Sequence, residues 1–121
     1  MDEVRTFLGK NSLDTDPVVM RMKQVPATAW EDELPVIDLV IRETIRLVVT
    51  GQAMRRNIES DVILDGKKVE RGDFLIYPLT AIHFDPNVYS DPYKFDPGRF
   101  EQGREEDRKV HFGYLGWGVG K

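Results

Sequence analysis

Glu43 and Arg46 stand three residues apart in LPVIDLVIRETIRLVV, the spacing at which opposite charges meet on one face of a helix. Their neighbours Thr44, Ile45, Leu47, Val48 and Val49 are mostly apolar. Three uses suit such a pair. As a solvated surface pair it is worth only a few tenths of a kcal/mol. As a buried pair it must be tightly partnered, because an unpartnered buried charge costs several kcal/mol. The planar fork of Arg46 then has donors to spare and can organise a distant loop. Acid/base catalysis is the third use.

The C-terminal segment FGYLGWGVGK offers a different chemistry. Gly113, Gly116, Gly118 and Gly120 would let the main chain approach a flat ligand or a phosphate closely, and Trp117 offers a stacking face. The spacing is not a phosphate-binding fingerprint, and no Gly-Lys-Ser/Thr follows, so a plain loop is the competing reading. His83 and His111 are the two histidines, too few and too far apart for a metal-ligand pattern, and no metal site is expected. His83, within Ile82-His83-Phe84-Asp85-Pro86, reads as a hydrogen-bonded turn residue. Ser12, Ser60 and Ser90 lie in no nucleophile-elbow context, and no catalytic residue is assigned.

The elements that must position these residues follow from punctuation and periodicity. Residues 1–10 read as the end of a helix with Val4, Phe7 and Leu8 on one face and Gly9 as its stop. Residues 11–33 read as mostly irregular, interrupted at Asp16-Pro17 and Val25-Pro26, with an apolar patch at Val18, Val19, Met20 and Met22. Residues 34–49 alternate like a strand but are long for one. Pro35 in a first turn and Glu31, Asp32 and Glu33 at the positive end of the dipole favour a helix, with Ile37, Ile41, Ile45 and Val48 as its stripe. From residue 54 the signals turn to β: Val62–Leu64 and Lys67–Val69 flank Asp65-Gly66 as a hairpin, and Phe74–Tyr77 runs to Pro78. A short helix is expected within 79–90. Beyond it comes a proline-punctuated loop in which residues 101–109, EQGREEDRK, read as solvated.

The 121 residues carry 17 Lys and Arg against 21 Asp and Glu, a net charge of −4, with 40% hydrophobic and 31% charged residues. That apolar share is below the roughly 45–50% of ordinary globular chains. The mild acidity argues against a nucleic-acid partner, which would require a basic face. With no cysteine, a disulfide framework, a zinc ribbon and a thiol nucleophile are excluded within these residues. No apolar stretch approaches the roughly 18 residues that span a bilayer, and Met1-Asp2-Glu3-Val4-Arg5 carries no signal-peptide pattern.

In order and spacing, several of these features resemble the haem-proximal C-terminal section of the cytochrome P450 family, over roughly residues 26–121. Glu43-Thr44-Ile45-Arg46 is similar to the E-x-x-R signature of the K helix. Lys94-Phe95-Asp96-Pro97-Gly98-Arg99-Phe100 is similar to the P-E-R-F region, with Gly98 where Glu is commoner. His83-Phe84-Asp85-Pro86 matches an H-x-D-P turn, and Trp117-Gly118-Val119-Gly120-Lys121 looks like the opening of F-G-x-G-x-x-x-C-x-G, with Trp117 in place of Phe.

The resemblance implies a mainly α fold with a small β subdomain. Residues 1–33 would be the J-helix end and a connection, 34–50 the K helix, 54–78 the β region, 79–110 the meander and 111–121 the start of the haem loop. It assigns Glu43, Arg46 and Arg99 to a buried structural triad. Arg56 is the first choice and Arg55 the second for a haem propionate, with Trp117, Gly118 and Gly120 along the cofactor. It further implies a haem-thiolate monooxygenase that takes an organic substrate, O₂ and electrons from a reductase. In this alignment the axial cysteine falls three residues beyond Lys121, so the chain reads as a fragment, inactive by itself. A membrane-associated parent, anchored before residue 1, is a family-level expectation. The alternatives are a haem-thiolate isomerase or peroxygenase acting on hydroperoxides, and a truncated chain serving only as a binding module.

Overall fold

Pro17 and Pro26 open helices instead of preventing them. In the computed structural model, which describes residues 2–118, the segment expected to be irregular contains α2 (Val18–Gln24) and α3 (Ala27–Asp32). Each proline is the N-cap, with φ of −56° and −60° and an extended ψ. Its missing N–H costs nothing there, because no intrahelical partner exists ahead of the first turn. The Val18, Val19, Met20 and Met22 side chains are exposed.

Helix α1 (Asp2–Asn11) runs through Gly9 rather than stopping at it. Its last turn is satisfied by side chains: Asn11 Nδ2 donates to the Phe7 carbonyl at 3.1 Å and Ser12 Oγ to that of Leu8 at 2.6 Å. Phe7, Leu8, Val25, Ala29 and Leu34 form a core, with Trp30 and Ile37 packed against it. The Glu3 carboxylate accepts the backbone N–H groups of Val36 and Ile37 at 2.9 and 3.0 Å, capping α4 (Pro35–Val48). Glu3 thus makes the capping bonds at the dipole end expected to draw on Glu31, Asp32 and Glu33.

By its internal contacts the chain divides into Met1–Arg42 and Glu43–Lys121, the division falling inside α4. The apolar stripe expected along α4 holds only in part. Ile37 joins the core of the first unit, whereas Ile41 and Val48 are exposed. The fully buried side chains of the helix are Glu43 and Arg46, because their burial follows hydrogen bonding and not apolarity.

In the second unit, β1 (Gln52–Arg56) pairs antiparallel with β4 (Phe74–Pro78), Gln52 opposite Pro78 and Arg56 opposite Phe74. QAMRR has no apolar alternation, so the sequence does not announce β1 as a strand. The expected hairpin of β2 (Val62–Leu64) and β3 (Lys67–Val69) forms around Asp65 and Gly66, both at positive φ as a tight turn requires. Helix α5 (Leu79–His83) follows, then helical turns at Pro97–Phe100 and Glu106–Arg108. Among the described residues of this unit, Val88, Tyr89, Phe100 and Leu115 are the buried apolar ones. The stretch 101–109 is not wholly solvated: Glu106 is buried, held by partners described next. No described helix is long and apolar enough to cross a membrane.

Candidate functional site

The second half of α4 presents Glu43 and Arg46 to one another as a fork-to-fork pair, Arg46 Nε to Oε2 at 2.8 Å and Nη2 to Oε1 at 2.9 Å. Both side chains are fully buried. Arg99, on the turn after Pro97, donates Nε to Glu43 Oε1 at 3.0 Å, and the Asp96 N–H donates to the same oxygen at 3.0 Å. Further donors go to main chain. Arg46 Nη1 reaches the His83 carbonyl at 2.5 Å, and Arg99 reaches the carbonyls of Ser90 and Lys94, each at 3.0 Å. The Tyr89 ring lies beside both guanidinium groups, 4.9 Å from that of Arg46 and 5.7 Å from that of Arg99. Glu43, Arg46 and Arg99 therefore come together in one buried cluster, and the solvated reading of Glu43 and Arg46 drops out.

The cluster extends to a residue that the sequence hid. Arg99 Nη1 also donates to Glu106 Oε2 at 2.6 Å. Glu106 Oε1 accepts Ser90 Oγ at 2.6 Å and Arg104 Nη2 at 3.0 Å, and Arg104 Nη1 turns to Asp96 at 2.9 Å. Two buried guanidinium groups, Arg46 and Arg99, thus face two buried carboxylates, Glu43 and Glu106, so no net charge is taken out of water, and the partly exposed Arg104 and Asp96 close the network at its edge. Burial by itself would raise the Glu106 pKa, but bonds from Ser90, Arg104 and Arg99 outweigh it and bring the carboxyl down to about 2. Glu43 follows the same pattern: burial opposes ionisation, and Arg46, the Asp96 N–H and Arg99 overcome it and lower its pKa.

Two side chains connect this cluster to the glycine-rich loop. Tyr89 donates its hydroxyl to the Gly113 carbonyl at 2.8 Å, and the Leu115 N–H donates to His83 Nε2 at 2.9 Å. His83 is fully buried; burial, then the charge of Arg46, lower its pKa, and because Nε2 accepts the Leu115 N–H the ring proton belongs on Nδ1. That Nδ1 has no partner among the described residues. An orphaned buried donor costs about 1–3 kcal/mol. Gly113 fits where it does because a Cβ there would run into the Asp107 carbonyl oxygen.

Against this loop lies a cleft of about 610 Å³, lined by Gly51, Ala53, Leu79, Leu115 and Gly118 among others, with Arg55 on its wall. That volume falls within the roughly 300–1,000 Å³ of small-molecule sites. Successive strand residues face opposite ways, and the two arginines divide accordingly. Arg56 does not line the cleft; its Nε donates to the Gly72 carbonyl at 3.1 Å and its guanidinium lies 5.6 Å from the Phe74 ring centre. Gly118, at φ +80°, borders the cleft, while Trp117 is 79% exposed and is not among its lining residues. Gly120 lies outside the described residues.

Sequence reasoning missed Glu106, Tyr89 and the acceptor role of His83. Glu106 sits in a run of like-looking charges, and nothing in its spacing separates it from Glu101 or Glu105.

Comparison with known proteins agrees with this geometry. Residues 14–121 match the Cytochrome P450 family, and the chain belongs to it. It is 40% identical over 108 residues to Cytochrome P450 monooxygenase AacuE of Aspergillus aculeatus, covering 87% of this chain and 22% of that protein. It is 38% identical over 113 residues to Cytochrome P450 monooxygenase nsrP of Aspergillus novofumigatus, covering 87% and 21%. Among solved structures, retinoic acid bound cyanobacterial CYP120A1 superposes with a TM-score of 0.74 at 28% identity, over 98% of this chain and 25% of that one. The chain thus spans about a fifth to a quarter of the length of the relatives it matches.

Proposed function

We propose that this chain is the haem-proximal part of a haem-thiolate monooxygenase acting on an organic substrate, with electrons delivered by a reductase. The observation that carries the reading is the cleft beside the glycine loop. Its apolar lining at Ala53, Leu79 and Leu115 suits a flat macrocycle, and Arg55 on its wall suits a carboxylate of that group. A haem held here would supply dioxygen activation, with one oxygen atom entering the substrate and the other leaving as water on uptake of two electrons from the reductase and two protons.

The residues of this chain do the holding. Arg55, in preference to Arg56, takes a propionate. Gly118 leaves room for close approach along the ring. Leu115, itself buried, keeps water from that wall of the cleft. Glu43, Arg46 and Arg99 make and break no bonds; they fix the turn at Pro97–Phe100 and the end of α5. The chain then maps onto a single P450 domain in part, with 34–50 as the K helix, 54–78 as the β region and 79–110 as the meander.

The test is turnover of the complete polypeptide with a reductase under isotopically labelled dioxygen, against a panel of hydrophobic substrates. One labelled oxygen atom in the product is expected. Activity supported only by hydroperoxides, with no label from dioxygen, would overturn the monooxygenase reading.

A further inference from the structure

We propose that His83 is a positioning residue whose Nε2 latches the main chain of Leu115, tying the loop wall of the cleft to the Glu43–Arg46 pair. The proposal rests on the functional reading above for what the cleft holds, but not for the latch itself.

The connection runs through one residue in two directions. On its main-chain side, the His83 carbonyl receives Arg46 Nη1 at 2.5 Å. On its side-chain side, the imidazole receives the Leu115 N–H at 2.9 Å. Leu115 is buried and lines the cleft together with Gly118, three residues along and bonded back to the Leu115 carbonyl at 3.0 Å. A shift of α5 would therefore move the cleft wall.

A plain packing role would not call for histidine here. The ring stacks on Tyr114 with centres 5.5 Å apart, a contact that Phe could supply without leaving a buried Nδ1 unpartnered. What Phe cannot supply is an acceptor for Leu115. A buried main-chain N–H without one is rare and destabilising, so the acceptor accounts for keeping an imidazole whose other nitrogen is unsatisfied. Tyr89 makes the companion bond to the Gly113 carbonyl at 2.8 Å. The loop is thus held at one carbonyl and one N–H two residues apart, both by residues in contact with Arg46.

The test uses the complete haem-loaded protein with His83→Phe and His83→Gln, reading amide exchange at Leu115 and the rate of haem transfer to an acceptor globin. Phe keeps the ring and the main-chain carbonyl but removes the acceptor; Gln keeps an amide oxygen at similar reach. His83→Phe is expected to speed both exchange and haem loss about tenfold, the factor that losing one buried hydrogen bond commonly gives. His83→Gln is expected to restore most of both. Unchanged Leu115 exchange in His83→Phe, or equal damage from Gln and Phe, would overturn the latch. If His83→Phe does not fold, nitrogen NMR of the wild-type imidazole decides: a proton on Nδ1 supports the latch and a proton on Nε2 overturns it. If the wild-type protein takes up no haem, the functional reading fails, while Leu115 exchange in the haem-free protein still decides the latch.

Discussion

Arg99 and Glu106 are joined by a buried ion pair, Nη1 to Oε2 at 2.6 Å, and through it the Glu43–Arg46 pair continues into the region after Phe100. Arg99 is the shared member, bonded on its other side to Glu43 at 3.0 Å. Removing any one charge leaves another buried without compensation, which sets the order of the effects expected below.

Glu43→Gln should be the most damaging single change. Glu43 accepts from two arginines and one main-chain N–H, and loss of its charge leaves Arg46 and Arg99 facing one another across a neutral amide. A loss of about 3–5 kcal/mol is expected, seen as a collapse in folded yield of the complete protein on size exclusion.

Glu106→Gln should cost less, about 1–3 kcal/mol, because its amide oxygen can still accept from Ser90 or Arg104 and Arg99 keeps Glu43. It should also change the acid limb. The Glu106 carboxyl lies at about 2 in the fold against an ordinary 4.5, so its stabilisation is complete above pH 4.5 and fades as pH falls towards 2. Denaturant unfolding measured over that window should lose part of its pH slope in Glu106→Gln.

His83 titrates in the opposite chemical sense with the same outcome. Its pKa is lowered from 6.5 by burial and by Arg46, so the unfolded chain binds a proton more readily than the fold does. Stability should therefore decline as pH falls from 6.5 through the lower folded value. The Leu115 N–H, which needs Nε2 as an acceptor, and the charge of Arg46 both oppose an imidazolium, while Tyr114 stacks on the ring. His83→Gln should remove this first acid step and leave the later carboxylate step in place.

Arg55→Ala should weaken haem retention and Arg56→Ala should not. Only Arg55 lines the cleft, while Arg56 is committed to Gly72 and Phe74 on the other face. Competitive transfer of haem from each variant to an acceptor globin separates the two; faster loss from Arg56→Ala alone would reverse the assignment.

How far the sequence reached depended on the physics of each element. The helix at 35–48 and the hairpin around Asp65-Gly66 were legible because Pro35 in a first turn and the Asp-Gly turn are local signals, although the helix takes its capping bonds from Glu3, far away in the chain. Strand β1 was not, since QAMRR becomes a strand only by pairing with FLIYP. Helices α2 and α3 were obscured because Pro17 and Pro26 look like breakers until their place ahead of the first turn is known. Glu43, Arg46 and Arg99 could be grouped by motif order, whereas Glu106 depends on a fold-back that brings it to Ser90 and Arg99. Which of Arg55 and Arg56 lines the cleft follows from strand pairing, which distance from Arg46 along the chain does not encode.

The most direct measurement is the ferrous carbon monoxide spectrum of the complete protein, recorded for the wild type and for Glu43→Gln. The wild type should give a thiolate-ligated haem band, and Glu43→Gln should lose it along with folded protein. Wild-type protein that folds and binds haem without a thiolate band, or a Glu43→Gln spectrum of wild-type strength, would contradict the account.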